Sequence, residues 1–297
     1  MNNLLNWAIL NTATEGEDAK GASPARPLQE LDPNVIDLIL GKDDSTQMKE
    51  FVAVASSDLA TTEQKELALE DLETLVGQID NAQNLESLNL WEPLLDLLTS
   101  PDPRVRKGVA WVCGTAVQNH PKVKENFTRH GGLNNMVTVL EGDMDVSVKA
   151  KALYCLSSLL QNAPPLLEAF IKLNGIKALQ SILTLPVDPS QSGLLNLQRR
   201  TLFTLRNLAS QHPPFSANLR RSSFPPILLD VADRAISLED EDLAEQSIRA
   251  YLVVLGHAPP IKSDRPILAS LLPRLTHTFP EIEWSDAEKA SIKRLTA

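Results

Sequence analysis

Residues 102–133 read DPRVRKGVAWVCGTAVQNHPKVKENFTRHGGL, and residues 145–176 read DVSVKAKALYCLSSLLQNAPPLLEAFIKLNGI. At an offset of 43, Asp102, Val105, Gln118, Asn119, Glu125, Phe127 and Gly132 find Asp145, Val148, Gln161, Asn162, Glu168, Phe170 and Gly175. Leu90, Leu133 and Ile176 extend the register one unit earlier, as do Leu97, Leu140 and Leu183. A fixed period of this size marks stacked helical units, each of which buries its apolar face only against its neighbours. Arrays of that kind hold partners along a surface and perform no chemistry themselves.

Three helices per unit are expected. Val123–Phe127 and Leu166–Phe170 form short first helices that end at Gly132 and Gly175, where glycine permits a sharp reversal. Leu133–Leu140 and Ile176–Leu183 form second helices. Arg104–Asn119 and Val146–Asn162 form longer third helices, capped by Asp102 and Asp145. The next third helix, Leu194–Ser210, comes at an offset of 49, so a loop at Pro186–Gly193 lengthens that unit. Asp242–Leu255 supplies a fourth, with the acidic run Glu239–Asp242 at its positive end. Upstream, Glu63–Val76 and Leu88–Leu98 carry helical spacing. Asp32-Pro33 opens a helix that Gly41 ends. Units with a short first helix and a glycine before the second resemble armadillo repeats, in which the third helices line the concave face. The expected fold is therefore all-α, an armadillo-type superhelical solenoid of about four three-helix repeats with helical caps. Residues 1–30 form a flexible segment with an apolar island at 3–10. Residues 31–90 carry the N-terminal cap and first repeat, 91–256 the armadillo repeats, and 257–297 the C-terminal cap.

Bulk properties narrow the function. The net charge of −10 over 297 residues argues against a nucleic-acid or anionic-membrane binder, which needs a basic face. Two cysteines imply no disulfide framework and fit a reducing compartment. No span approaches the length of a transmembrane helix. These features point to a cytosolic protein, with the nucleus also open to it.

Nothing in the chain builds an active site. The five histidines fall at helix ends and loops, without metal-ligand spacing. Cys113 and Cys155 sit among apolar residues of third helices, as structural thiols do. Gly131-Gly132 is a repeat turn and no phosphate loop. No cofactor, metal site or enzyme activity is expected.

Trp111, Tyr154 and Phe203 are equivalent by the two offsets. Aromatics at one place in successive third helices serve either the core or a ladder on the inner surface, and the pattern leaves both open. Armadillo nuclear-import receptors place Trp there with Asn one turn later to grip an extended peptide. Here the following residues are Thr115, Ser158 and Asn207, and no Trp–Asn pair exists. Arg199-Arg200, with Arg206 two turns on, form either a solvated face or a directional anchor for a partner's carboxylates.

Residues 78–95, QIDNAQNLESLNLWEPLL, closely resemble a segment of the Fes-type and heat-shock-protein-binding-protein family. The resemblance continues in LLNWAIL at the N-terminus, DPNVIDLILGKDDSTQMKE at 32–50 and WVCGTAVQNHPKVKENF at 111–127, and it weakens beyond about residue 210. The N-terminal island is similar to that of the fungal branch. The resemblance implies a nucleotide exchange factor for the cytosolic 70-kDa heat-shock chaperone, with an armadillo body embracing its nucleotide-binding domain. It also implies contact roles for Ala82 and, in the less closely matching string LQRRTL, for Arg200. The competing expectation is a generic armadillo scaffold or peptide-binding adaptor.

Leu4, Leu5, Trp7, Ile9 and Leu10 form a compact apolar segment tethered by some twenty polar residues. It is either an added helix on the first repeat or, given such a chaperone, a mimic of client peptide for the substrate-binding domain. An apolar segment with a Trp is costly to leave in water without a partner.

Overall fold

The computed structural model describes residues 42–296 apart from 119, 188, 189, 257 and 260. The island at 3–10, its tether, the Asp32-Pro33 start and the Gly41 stop all lie outside them. Two compact units divide between Gln47 and Met48, and the second runs to residue 297.

Among the described residues every regular element is helical. Helices α1 (Asp44–Ser56) and α2 (Thr62–Val76) precede four three-helix units. These are α3 (Ile79–Ser87), α4 (Trp91–Asp96) and α5 (Pro103–Ala116); α6 (Pro121–Arg129), α7 (Gly132–Gly142) and α8 (Val146–Leu160); α9 (Pro164–Lys172), α10 (Gly175–Leu183) and α11 (Ser192–Gln211); and α12 (Pro213–Arg221), α13 (Phe224–Ser237) and α14 (Glu241–Leu255). Helices α15 (Arg265–Thr278) and α16 (Asp286–Thr296) follow. Helix α2 and the third helices α5, α8, α11 and α14 pack one on the next in that order, and second helices α7, α10 and α13 pack as a second layer. The repeat architecture expected from the 43-residue register is what the chain adopts.

The helix starts are written in the local sequence. Asp102 Oδ1 accepts from the Arg104 N–H at 2.9 Å, with Pro103 at the first helical position. Asp145 Oδ1 accepts from the N–H groups of Ser147 (2.8 Å) and Val148 (3.1 Å). Thr61 and Gln64 close a reciprocal capping box on α2. Between these caps the apolar positions interlock into one continuous core, with Trp91, Phe127, Phe170, Phe215, Phe224 and Tyr251 almost wholly enclosed.

Two expectations need correction. The stretch 88–98 is not one helix. Asn89 is left-handed (φ +55°), and α4 is a short helix followed by a 3₁₀ turn at Leu97–Thr99. Gly132 and Gly175 are not the reversal points either. The left-handed residues are Gly131 (φ +81°) and Asn174 (φ +61°), one position earlier. Gly132 and Gly175 begin α7 and α10, and a Cβ there would stand 2.4 Å from the Phe127 ring and 2.2 Å from the Phe170 ring. Glycine is required at these positions for close approach, with its conformational freedom unused.

A further register became visible only in three dimensions. Arg106, Lys149 and Gln198 are equivalent by the two offsets, and each reaches the end of the preceding second-helix segment. Arg106 Nη1 donates to Ser100 O (2.8 Å), Lys149 Nζ to Leu140 O (2.6 Å) and Gln198 Nε2 to Ile182 O (2.9 Å). Donors at a helix C-terminus satisfy orphan carbonyls and, when cationic, oppose the negative end of the dipole. Arg106 also grips Asp143 of the next unit through Nε (2.6 Å) and Nη2 (2.9 Å).

Candidate partner-binding face

The exposed side of the third-helix layer gathers most of the residues singled out from sequence. Trp111 on α5 and Tyr154 on α8 are half-buried, and Phe203 on α11 is 52% exposed. The core reading of this triplet is therefore wrong: the enclosed aromatics are other residues, and these three form a ladder at the surface. Lys151 Nζ stands 3.3 Å from the Trp111 ring centroid. The Arg206 guanidinium lies 5.6 Å from that of Phe203. Cations over ring faces are held by the aromatic quadrupole, more strongly where water is excluded.

Tyr154 is pinned in place. Its hydroxyl donates to Gln118 Oε1 at 3.3 Å and lies 3.5 Å from Thr115 Oγ1, which donates to Glu73 Oε1 at 2.6 Å. Gly114 makes room for the ring, since a Cβ there would meet Tyr154 Cδ1 at 2.5 Å and the Cys155 backbone at 3.2 Å. Between Tyr154 and Phe203 the seam of α8 and α11 opens into a cleft of about 340 Å³, floored by Ser158, Thr204 and Leu208.

The two paired arginines part company. Arg199 is consumed within the chain, bridging to Asp240 at the N-cap of α14 and to Asp242 at 3.2 Å. It ties two units together and is no free anchor for a partner. Arg200 is exposed and makes no ion pair among the described residues. Burial, joined by the charges of Arg200 and Lys107, pushes the Lys151 ammonium below its ordinary pKa, against the pull of Glu73.

Ala82 is not on this face. It lies on α3, 3% exposed and part of the apolar core beside Leu85 and Trp91, so it offers no contact surface as the chain stands. The thiols behave as expected: Cys113 and Cys155 are fully enclosed, and burial pushes Cys113 up to about 12. Among the described residues no cluster of His, Cys, Asp or Glu could hold a metal ion, and no helix is long and apolar enough to cross a membrane. Sequence reasoning missed Lys151 and Gly114. Lys151 stands one helical turn before Tyr154, and Gly114 opens the GTAVQN string, so both were within reach of a search for what holds the aromatics.

Two family models match the chain, one described as nucleotide exchange factor Fes1 over residues 1–85 and one as the SIL1/FES1/HPBP1 C-terminal domain over residues 81–213. A Kluyveromyces lactis protein named Hsp70 nucleotide exchange factor FES1 is 34% identical over 225 residues, covering 74% of this chain and 75% of its own length. The chain belongs to the Fes1 family. Other Fes1-family relatives bear the same name, among them those of Saccharomyces cerevisiae (35% identical, 62% of this chain and 63% of the relative) and Coccidioides immitis (35%, 58% and 83%). In fold the chain is similar to a designed armadillo repeat protein in complex with a (KR)4 peptide (TM-score 0.61, 15% identity, 85% of this chain and 98% of that one). It is also similar to the armadillo-repeats-only protein of Plasmodium falciparum (TM-score 0.58, 18%, 76% and 100%). These likenesses bear out the armadillo-type solenoid.

Proposed function

We propose that this protein is a co-chaperone that promotes release of ADP from the cytosolic 70-kDa heat-shock chaperone, engaging its nucleotide-binding domain with the exposed third-helix face. The observations that carry this reading are the relatives named as Hsp70 exchange factors and the family model over residues 81–213, a span that includes α5, α8 and α11. The face supports it by offering Trp111, Tyr154, Phe203 and Arg200 to a partner. Aromatic and arginine side chains are the residues that dominate protein–protein contacts.

No catalytic group is needed for such a role. A body that binds the opened, nucleotide-free chaperone better than the closed one shifts the equilibrium by its difference in affinity. Reciprocity then requires ADP to weaken binding of the exchange factor by the same factor. The site of action is the cytosol, in keeping with the two reduced, buried thiols. The apolar segment at residues 3–10 completes the proposal: it competes with bound client peptide and assists client release. Stopped-flow loss of a fluorescent ADP from the chaperone tests the reading. Acceleration by sub-stoichiometric protein, without nucleotide hydrolysis, is the expected result, and no change at saturating protein rejects it.

A further inference from the structure

Helix α6 is bracketed by histidines, and each of them reaches back to the unit before. His120 stands at its N-cap and His130 at its C-cap. The Val123 N–H donates to His120 Nδ1 at 3.2 Å, so Nδ1 is an acceptor here and the neutral ring carries its proton on Nε2. The Gln83 side-chain amide on α3, 3.0 Å from Nε2, must then present its oxygen. At the other end, His130 Nε2 lies 3.0 Å from Glu86 Oε2 on α3, and its Nδ1 lies 3.9 Å from Glu92 Oε1 on α4. Arg129 reinforces this end, pairing with Glu86 at 3.0 Å and with Glu125 at 3.5 Å.

The two rings respond to acid in opposite senses. Histidine changes its charge between about pH 5 and 8, a range in which carboxylates stay ionised. A charged His120 carries a proton on Nδ1 as well and has no lone pair left for the Val123 N–H. It also sets a cation at the positive end of the helix dipole. Its surroundings do not offset this. Gln83 is neutral, Lys122 and Lys124 on α6 are cations, and the last two turns of α5 carry no charge. On α3, Asp80 and Glu86 stand a turn either side of Gln83, and Glu86 is already held by Arg129 and His130. A charged His130 gains instead, with Arg129 the one neighbouring cation that opposes it. Its Nδ1–H turns to the Glu92 carboxylate, its Glu86 contact becomes an ion pair, and its charge sits at the negative end of the dipole. The first-turn contact is therefore present above the imidazole range and lost as pH falls through it, while the last-turn contacts strengthen over the same interval.

We propose that α6 is a proton-operated latch in the array. At neutral pH His120 holds its first turn, and on acidification the hold passes to its last turn, where charged His130 gathers Glu86 and Glu92. Gln118, two residues ahead of His120, accepts from the Tyr154 hydroxyl at 3.3 Å, so the end of α6 that acid loosens adjoins the aromatic ladder.

The test follows two backbone amides by NMR in the full-length chain, using isotope-labelled valine and glycine. The Val123 N–H reports the first turn through His120 Nδ1, and the Gly131 N–H, which donates to Thr128 O at 3.0 Å, reports the last. Their protection against solvent exchange, corrected for intrinsic rates, is compared at about pH 7.5 and about pH 5.5, either side of the middle of the histidine range. In wild type, Val123 is expected to lose about tenfold in protection at the lower pH, the scale of a lost helix cap, while Gly131 gains about twofold. Asparagine caps a helix without titrating, so His120→Asn is expected to protect Val123 equally at both pH values. His130→Gln is expected to keep the Val123 response and to abolish the gain at Gly131. Equal Val123 protection at both pH values in wild type overturns the proposal, and so does an acid loss that survives in His120→Asn. Loss of protection at Gly131 in step with Val123 means that acid frays the helix as a whole, which also overturns it.

Discussion

At the scale of single residues, the repeat register conceals two different uses of small side chains. Gly175 is fixed by the Phe170 ring, which occupies the space a Cβ would need. Gly175→Ala is expected to cost about 1–3 kcal/mol through overpacking, seen as a lower midpoint in thermal unfolding followed by circular dichroism. Ala82 is fixed by the core. Ala82→Arg places a charge among Leu85, Trp91 and their neighbours, so it is expected to lower the melting temperature as well as chaperone binding. Arg200→Ala is expected to behave differently, weakening binding by about 1–3 kcal/mol while leaving the melting curve unchanged, since Arg200 is exposed and unpaired among the described residues. Melting and calorimetry on the two variants together check this contrast. If Ala82→Arg melts like wild type, the burial argument fails.

At the scale of elements, the position shared by Arg106, Lys149 and Gln198 shows how much of the fold was legible in advance. The repeat, the Asp102 and Asp145 caps and the third helices could be read from the chain because they depend on local chemistry and on period. The capping role of this position could not, because an arginine, a lysine and a glutamine look unrelated until the second-helix carbonyls they reach are known. For the same reason sequence alone could not separate Arg199 from Arg200: the carboxylate that claims Arg199 lies about forty residues away.

The Arg106–Asp143 bridge also sets a pH dependence. Burial alone would push the Asp143 carboxyl up, but the Arg106 guanidinium and the Asp145 N–H outweigh it and hold the pKa below the usual 3.8. A depressed folded pKa contributes stability that is present above the unfolded value and lost as pH falls through the folded one. With side chains only 17% and 5% exposed, the pair is costly to break, and Arg106→Gln is expected to lose about 3 kcal/mol at neutral pH. The wild-type and variant stabilities should converge as the solution is taken well below pH 3.8, which chemical denaturation across that range measures.

At the scale of the whole molecule, the described helices and the N-terminal 30 residues carry separable expectations. Deleting residues 1–30 is expected to leave ADP release nearly unchanged while slowing release of a persistent fluorescent client. A lower melting temperature with unaltered client release would instead make that segment a structural cap. The candidate face was partly legible from sequence: the aromatic triplet was found by register and Arg200 through its pairing with Arg199 and the family resemblance, whereas the exposure of these residues and the cleft between α8 and α11 depend on how the helices pack.

The third unit is six residues longer than its predecessor, and the excess is taken up between Leu183 and Ser192 without displacing α11 from the stack. A connection that absorbs extra chain while its flanking helices keep their partners is a natural splice point. A foreign tag or a small reporter domain grafted beside Pro186 would ride on the array as cargo, leaving the ladder of aromatics free to work.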